Sequence, residues 1–239
     1  MMNIAIILAG GSGKRTGQIV PKQFLTVNDK PILIYTLENF ENNPNIDEII
    51  CVCIEGWEQV LEAYAGQFNI NKLKHIVKSG NTAQESIFNG VKIANQLYPS
   101  DTCVVIHDGI RPLVDERVLN DVIEICQKYG NGVTSLPYNE QIFIVKDEKS
   151  TEKYIPRETL RRISTPQAYK LSKLFDCYEK AKKTGVGFSS SSYTNTMMVD
   201  LGETLYLAKG SDKNIKLTTK DDLQIFMGFI QGGETGYLK

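Results

Sequence analysis

Short apolar runs alternate with helix-spaced patterns along most of this chain, and this alternation restricts the fold more than any other feature. A βαβα order needs crossover connections, so it predicts a mostly parallel sheet with helices on both faces. We therefore expect a Rossmann-like α/β fold with a twisted sheet, in one domain spanning residues 1–239. The strand-like runs are 3–9, 48–54, 75–77 and 102–106, and the helical patterns are 31–40, 57–68, 82–97 and 116–129.

The pattern changes after the apolar segment 133–136. Two strand-like segments, 141–146 and 153–156, flank the polar turn 147–152, which predicts a β-hairpin arm at about residues 137–160. Such an arm serves either as a dimerisation contact or as decoration of a sheet edge, and the pattern alone favours neither. Beyond it we expect a helix at 172–183, a serine-rich loop at 189–192, a strand at 204–208 and a final helix at 219–230.

Composition excludes several classes of protein. A net charge of −1 argues against nucleic-acid binding, which needs a surplus of basic residues. The N-terminus lacks the basic segment of a signal peptide, and no stretch approaches the roughly 18 apolar residues of a membrane span, so we expect a cytoplasmic protein with no membrane partner. The five cysteines are an odd number, several of them in apolar runs, and we expect buried free thiols rather than disulfides or a metal site.

The first strand-like run leads directly into a glycine-rich segment, residues 8–17. Its glycines allow close approach of a ligand and expose N–H groups, and Lys14, Arg15 and Lys22 supply cations nearby. Exposed amides and fixed cations at the carboxyl end of a strand suit a triphosphate. The segment lacks the Gly-Lys-Ser/Thr ending of a P-loop and the third glycine of the dinucleotide fingerprint, so it predicts a phosphate loop of another type.

Later motifs extend this pattern in a fixed order. They are Pro21-Lys-Gln-Phe24, Lys30-Pro-Ile-Leu33, His107-Asp-Gly-Ile-Arg-Pro112, Ser164-Thr-Pro-Gln167 and Asn214-Ile-Lys-Leu-Thr218. With them the chain resembles, over essentially its whole length, the cytidylyltransferases that activate methylerythritol phosphate or ribitol phosphate. The resemblance implies a homodimeric enzyme that uses CTP, a polyol phosphate and Mg²⁺. The acceptor's phosphate would attack the α-phosphorus of CTP and pyrophosphate would leave, with no covalent enzyme intermediate.

The resemblance also implies roles for individual residues. Asp108 would bind Mg²⁺, a role that the carboxyl end of a strand also suits, and the alternative is an aspartate that caps the loop. We expect His107 to be a packed residue at the end of a strand and not a catalytic base. The implied catalytic positions, which stabilise phosphate charge, are Arg15, Lys22 and Lys216. The implied nucleotide-binding positions are Leu8, Ala9, Gly10, Gly11, Gly13, Lys14, Gly80, Asn81 and Ser86. The implied acceptor-binding positions are Arg111, Gln141, Ser192 and Arg157, the last of which would reach the site of the neighbouring subunit.

Some positions depart from the family's pattern. Asn81 and Ala83 stand where an acidic residue and an arginine are usual beside the base, and Tyr193 stands where a carboxylate is usual in the acceptor pocket. The segments 8–11 and 207–210 resemble the ribitol-phosphate branch, so we favour ribitol 5-phosphate or a similar polyol phosphate as acceptor, for teichoic-acid or capsule synthesis. The alternatives are a methylerythritol-phosphate enzyme, a sugar-1-phosphate nucleotidyltransferase and a nucleotide-binding homologue without catalysis.

Overall fold

A seven-stranded sheet forms the centre of the computed structural model, which describes residues 1–11, 20–188 and 193–232. In chain order the strands are β1 (Asn3–Ala9), β2 (Thr26–Val27), β3 (Lys30–Pro31), β4 (Glu48–Cys53), β5 (Leu73–Lys78), β6 (Cys103–Asp108), β7 (Asn131–Pro137), β8 (Ile142–Asp147), β9 (Ser150–Ile155), β10 (Arg161–Lys170) and β11 (Leu207–Lys209). The central order is β11-β7-β10-β6-β1-β4-β5. Every pairing in it is parallel except those of β10, which runs antiparallel to both neighbours. The mostly parallel sheet is therefore confirmed.

Helices cover both faces of this sheet. In chain order they are α1 (Ile32–Glu41), α2 (Glu58–Gln67), α3 (Ala83–Leu97), α4 (Glu116–Tyr129), α5 (Leu171–Thr184), α6 (Thr194–Asp200) and α7 (Lys220–Gly232). Alternate residues of β1 point to opposite faces: Ala5 and Ile7 pack in one core with α1, α2 and α4, whereas Ile4 and Ile6 pack in a second core with α3, α5 and α6. Burial on both faces explains why β1 reads as a continuous apolar run. A third, smaller core joins α7 through Phe226 to Ile32 and Leu217.

The structure corrects several predicted elements. The ten-residue strand β10 was missed, because its sequence is polar and contains Pro166, and because its register shifts between Ile163 and Gln167. The short helix α6 was missed as well. The predicted strand 204–208 begins only at Leu207, because the Asn131 side chain binds the backbone of the preceding segment instead.

The predicted hairpin is present and forms a sheet of its own. Its strands β8 and β9 extend further than predicted, so that the turn joining them is shorter than 147–152. Four large apolar side chains of the arm are exposed: Phe143 54%, Ile144 50%, Val145 76% and Tyr154 65%. The arm therefore lacks a core within its own chain.

The length and hydropathy of the helices test for a membrane-spanning segment. Across residues 1–11, 20–188 and 193–232, no helix is long and apolar enough to cross a bilayer.

Candidate active site

The sheet brings two predicted motifs to the same edge. β1 and β6 are parallel neighbours in which Leu8 lies opposite Asp108, so the glycine-rich segment and the 107–112 segment leave the sheet side by side. The backbone N–H of Gly109 donates to the carbonyl of Leu8 at 2.9 Å. Antiparallel β10 then brings Thr165 beside Asp108, whose backbone N–H donates to the Thr165 hydroxyl at 3.1 Å. Three motifs distant in sequence thus meet where ligands bind to open α/β sheets.

Asp108 lies at the centre of a charged cluster. Arg111 Nε donates to Asp108 Oδ2 at 2.9 Å, and Lys216 Nζ donates to Asp108 Oδ1 at 3.0 Å. Burial alone would raise the pKa of the Asp108 carboxyl, but the charges of Lys216 and Arg111 and the hydrogen bond from Arg111 hold that pKa below its ordinary value. The cluster therefore has one carboxylate and two cations, and a net positive charge suited to a phosphate.

The segment that carries Lys216 is fixed by its neighbours. Arg111 Nη1 donates to the Asn214 carbonyl at 2.8 Å, and Asn214 Nδ2 donates to the Thr165 carbonyl at 2.7 Å. The backbone N–H of Leu217 donates to the Ile110 carbonyl at 2.9 Å. The Lys216 ammonium is thereby held beside Asp108, across 108 residues of sequence.

Lys22 begins a short 3-10 turn just after the glycine-rich segment. Its Nζ donates to the carbonyl of Thr218, two residues beyond Lys216. The next residue, Gln23, is buried, and its Nε2 donates to the carbonyls of Ala9 at 2.6 Å and Gly11 at 3.0 Å. Gln23 therefore fixes the start of the loop, a role that the sequence analysis missed although it noted the motif.

The predicted nucleotide-binding segment 80–86 abuts the glycine-rich segment. A side chain at Gly10 would meet Ser79 Cβ at 2.5 Å and Ser86 Oγ at 3.6 Å. Ser86 Oγ accepts from the Gly80 N–H at 3.0 Å and donates to the Thr82 carbonyl at 2.8 Å. Close packing of the two segments therefore leaves little room for a larger residue at Gly10, because a Cβ there would overlap Ser79.

The same segment caps the start of α3. Thr82 and Glu85 form a reciprocal capping box, and the Asn81 N–H donates to Glu85 Oε2 at 2.8 Å. A side chain at Gly80 would meet Glu85 Cβ at 2.4 Å. Because these bonds are local, the shape of the segment depends mainly on its own residues.

Two further predicted positions, Gln141 and Arg157, are not brought to the Asp108 cluster of their own chain. In the part of the chain that the structure describes, the polar contacts of Arg157 stay within the arm, with the Asn139 carbonyl at 3.1 Å and Glu158 at 3.5 Å. Gln141 is exposed just before β8. Gly13, Lys14, Arg15 and Ser192 lie outside the described residues.

His107 is a packed residue, as the sequence predicts. Its ring lies 5.2 Å from that of Phe40, and Nε2 is 3.2 Å from the Arg111 carbonyl. Burial lowers the pKa of His107 to about 4, against the opposing effects of the Arg111 carbonyl and Asp108. A neutral, enclosed imidazole therefore packs beneath the loop that follows β6.

The structure also shows the state of the cysteines and the arrangement of the acidic groups. The five cysteines are free and buried, as predicted. Among the residues that the structure describes, no group of three or more histidine, cysteine, aspartate or glutamate side chains is arranged to hold a metal ion.

Comparison with known proteins decides the family. The family model for 2-C-methyl-D-erythritol 4-phosphate cytidylyltransferase (IspD) matches residues 3–231. The chain belongs to this family. This cytidylyltransferase is 57% identical to the ribitol-5-phosphate cytidylyltransferase of Lacticaseibacillus paracasei, over 98% of its own length and 100% of that protein. It is 36% identical to the 2-C-methyl-D-erythritol 4-phosphate cytidylyltransferase of Clostridium acetobutylicum, over 93% and 94% of the two chains.

The fold of this cytidylyltransferase agrees with a solved structure. It superposes on the 4-diphosphocytidyl-2C-methyl-D-erythritol synthase of Anaerococcus prevotii with a TM-score of 0.81 and 24% identity, covering 96% of this chain and 98% of that one. The predicted Rossmann-like α/β fold and the predicted nucleotidyltransferase class are thus confirmed.

Proposed function

We propose that this cytidylyltransferase transfers CMP from CTP to ribitol 5-phosphate, giving CDP-ribitol and pyrophosphate. An oxygen of the acceptor's phosphate forms a bond to the α-phosphorus of CTP, and the bond from that phosphorus to the bridging oxygen of the β-phosphate breaks. The observation that carries the choice of acceptor is the 57% identity, over both full lengths, with a protein named as a ribitol-5-phosphate cytidylyltransferase. The similarity of segments 8–11 and 207–210 to the ribitol-phosphate branch supports the same choice.

The residues at the sheet edge would act by position and charge. Lys22, Lys216 and Arg15 would stabilise the charge that develops on the α-phosphate and on the leaving pyrophosphate, while Arg111 would contact the acceptor's phosphate. The nucleotide would lie against Leu8, Ala9, Gly10, Gly11, Gly13, Lys14, Gly80, Asn81 and Ser86. The hydrogen bonds of Lys216 and Arg111 to Asp108 support this arrangement, because they hold both cations at the edge in advance.

Asp108 fits a role as the protein's ligand to Mg²⁺. Mg²⁺ in nucleotide sites commonly uses one or two carboxylates and completes its shell with phosphate oxygens and water. A single carboxylate at the open end of β6, flanked by phosphate-binding cations, matches that need. Asp108 would hold the ion, and the ion would supply positive charge near the phosphates of CTP.

The arm would complete the site in a homodimer. Its exposed apolar side chains give it a surface that a second copy of the chain would cover. Arg157 and Gln141 make no contribution to the Asp108 cluster among the described contacts of their own chain, which supports their acting on the partner's acceptor. The buried free thiols support a reducing, cytoplasmic compartment, and the product would feed teichoic-acid or capsule synthesis.

A second candidate acceptor is 2-C-methyl-D-erythritol 4-phosphate. The family model carries that name, and relatives at 36% and 37% identity are named for the same activity. Both acceptors present a phosphate on a polyol chain, so the Asp108 cluster alone does not separate them.

Pyrophosphate release with CTP and a panel of acceptors tests the proposal. We expect the highest kcat/KM with ribitol 5-phosphate, a lower value with 2-C-methyl-D-erythritol 4-phosphate and none with a sugar 1-phosphate. A higher kcat/KM with 2-C-methyl-D-erythritol 4-phosphate would show that this compound, and not ribitol 5-phosphate, is the preferred acceptor. Release of pyrophosphate with a sugar 1-phosphate alone would overturn the assignment of a polyol phosphate. CTP binding without release for any acceptor would identify a homologue that has lost catalysis.

A further inference from the structure

A buried asparagine joins the segment that carries Lys216 to the strand β10. Asn214 is 5% exposed, and its Nδ2 donates to the carbonyl of Thr165 in β10 at 2.7 Å. A second tie between the same two parts of the chain, the ion pair of Arg162 with Asp212, lies at the surface, where such pairs contribute little to stability. The carboxamide of Asn214 therefore anchors the segment to β10 from the interior.

The direction of the Asn214 amide follows from its surroundings. Nδ2 faces the carbonyl oxygen of Thr165, so reversal of the amide would bring Oδ1 against another acceptor. The bond to β10 therefore depends on the donor half of the side chain. A variant of similar shape that lacks this donor would release the segment from β10 without removing any charge from the Asp108 cluster.

The backbone of Asn214 contacts one cation of the cluster. Its carbonyl accepts from Arg111 Nη1 at 2.8 Å, while Arg111 Nε donates to Asp108 Oδ2 at 2.9 Å. Two acceptors on different segments thus bind two nitrogens of the planar guanidinium, which fixes its orientation as well as its position. A displacement of Asn214 would move one of these two acceptors.

The other cation of the cluster lies two residues further along the same segment. Lys216 Nζ donates to Asp108 Oδ1 at 3.0 Å. The next residue, Leu217, is 1% exposed, and its backbone N–H donates to the Ile110 carbonyl at 2.9 Å. Lys216 is thus held between two anchored residues, Asn214 and Leu217. Together with Asp108, Asn214 therefore fixes the position of each cation relative to the other.

We propose that Asn214 is a positioning residue that fixes Lys216 relative to Arg111 and so aligns the two reacting phosphates. This inference rests on the proposed function, in which Arg111 contacts the acceptor's phosphate and Lys216 stabilises charge on the α-phosphate of CTP. In-line attack needs these phosphates at a set distance and angle, and a displacement of about 1 Å can cost about 10²-fold in rate. Asn214 touches no reacting atom and acts through the two cations.

Asn214→Leu tests the proposal, because leucine branches at the same carbon as asparagine but donates no hydrogen bond. With CTP and ribitol 5-phosphate, we expect kcat to fall about 10- to 100-fold and both KM values to stay within about threefold, since each cation remains but their alignment is lost. If Asn214→Leu does not fold, Asn214→Ala also lacks the donor and replaces it, with the same expected result. A kcat within about twofold of wild type, or raised KM values with an unchanged kcat, would overturn the proposal.

Asn131→Leu is the matched control. Asn131 is another buried carboxamide whose Nδ2 donates to a backbone carbonyl, that of Thr204 at 2.9 Å, next to β11 at the far edge of the sheet. We expect this variant to lower the melting temperature as Asn214→Leu does and to leave kcat unchanged. An equal fall of kcat in both variants would indicate a general loss of stability and would overturn the role of Asn214.

Hydrogen–deuterium exchange separates this inference from the proposed function. We expect peptides spanning residues 211–219 to exchange about tenfold faster in Asn214→Leu, and not in Asn131→Leu. If the wild-type protein turns over no polyol phosphate, the proposed function fails, while faster exchange would still establish that Asn214 restrains the segment. Unchanged exchange in Asn214→Leu would overturn the role of Asn214 even in an active enzyme.

Discussion

At the scale of single residues, Asp108 holds the side chains of Arg111 and Lys216 in position before a substrate binds. Both carboxylate oxygens accept a hydrogen bond, one from Arg111 and one from Lys216. Donors fixed in advance stabilise developing charge without reorganisation during the reaction. We therefore expect Asp108 to affect both catalysis and the stability of the fold.

Asp108→Asn is expected to lower kcat at least about 10²-fold, because it removes the proposed metal ligand and the anchor of both cations. It should also change how stability depends on pH. The pKa of Asp108 is lower in the folded protein than its ordinary value, so its stabilisation is present above the unfolded pKa and is lost as pH falls through the folded pKa.

Chemical denaturation between about pH 3 and pH 7 measures this effect. The difference in unfolding free energy between wild type and Asp108→Asn should shrink towards acid. Asp200→Asn, at an exposed aspartate that ends α6, is the control. A difference for Asp108→Asn that does not vary with pH would contradict the assignment.

The phosphate loop yields a second prediction at this scale. Lys22→Ala and Arg15→Ala should each lower kcat/KM by about 10²–10³, since each removes a preorganised charge. Lys74→Ala, at an exposed lysine of β5, should behave as wild type. Steady-state rates with CTP and the acceptor test this, and wild-type turnover in both loop variants would refute the loop assignment.

At the scale of secondary-structure elements, the N-terminus of α7 contributes to the site. Asp222 Oδ2 accepts from the backbone N–H groups of Thr218 at 2.8 Å and Thr219 at 2.7 Å, and the Asp222 N–H donates to the Thr219 hydroxyl at 3.1 Å. This reciprocal cap also orients the Thr218 carbonyl, which accepts from Lys22. The end of a helix thus helps to place a proposed catalytic lysine.

Asp222→Ala should destabilise the protein by about 1–2 kcal/mol, the usual cost of a lost cap, and should raise the KM for CTP. Burial would raise the pKa of Asp222, but the hydrogen bonds from Thr219 and Thr218 lower it to about 2. The cap is therefore fully formed above the unfolded pKa and weakens as pH falls towards 2.

Asp221→Ala is the matched control for that change, because Asp221 is the adjacent exposed carboxylate in the same first turn. It shares the charge at the N-terminus of α7. If thermal denaturation shows equal losses for both variants, the effect comes from the helix dipole and not from the cap.

At the scale of the whole molecule, the large apolar side chains of the arm differ from those of the cores, because they are exposed in the single chain. The two main cores are complete within one chain, whereas Phe143, Val145 and Tyr154 on the arm remain exposed. We expect a homodimer through the arm at micromolar concentration by light scattering, and a shift towards monomer with Val145→Lys. A monomeric wild type would count against a shared active site.

Subunit complementation tests whether Arg157 acts on the partner. Arg157→Ala and Lys216→Ala homodimers should both be nearly inactive. Mixed by refolding together, they should regain about a quarter of wild-type activity, because half of the dimers carry one intact site of two. If Arg157 acts in its own chain, no activity returns, since every site then keeps one lesion.

The sequence by itself determined the elements whose pattern is local. β1 and α4 lie where the residues predict them, because a buried strand and an amphipathic helix each leave their own period in the sequence. The phosphate loop and its cations were predicted from residue types within a few positions of one another, and that assignment stays a prediction. The family's motifs, in order, then gave the reaction class, which the family comparison confirms.

Only the tertiary structure decided which distant residues meet. β10 forms because β6 and β7 pair with it on both sides and satisfy its backbone hydrogen bonds. Its polar sequence does not predict this pairing. Lys216 reaches Asp108 across 108 residues, and Gln84 reaches Tyr193 across 109. Such contacts depend on the order of strands and the side of the sheet to which each connection returns, and neither is encoded in a local period.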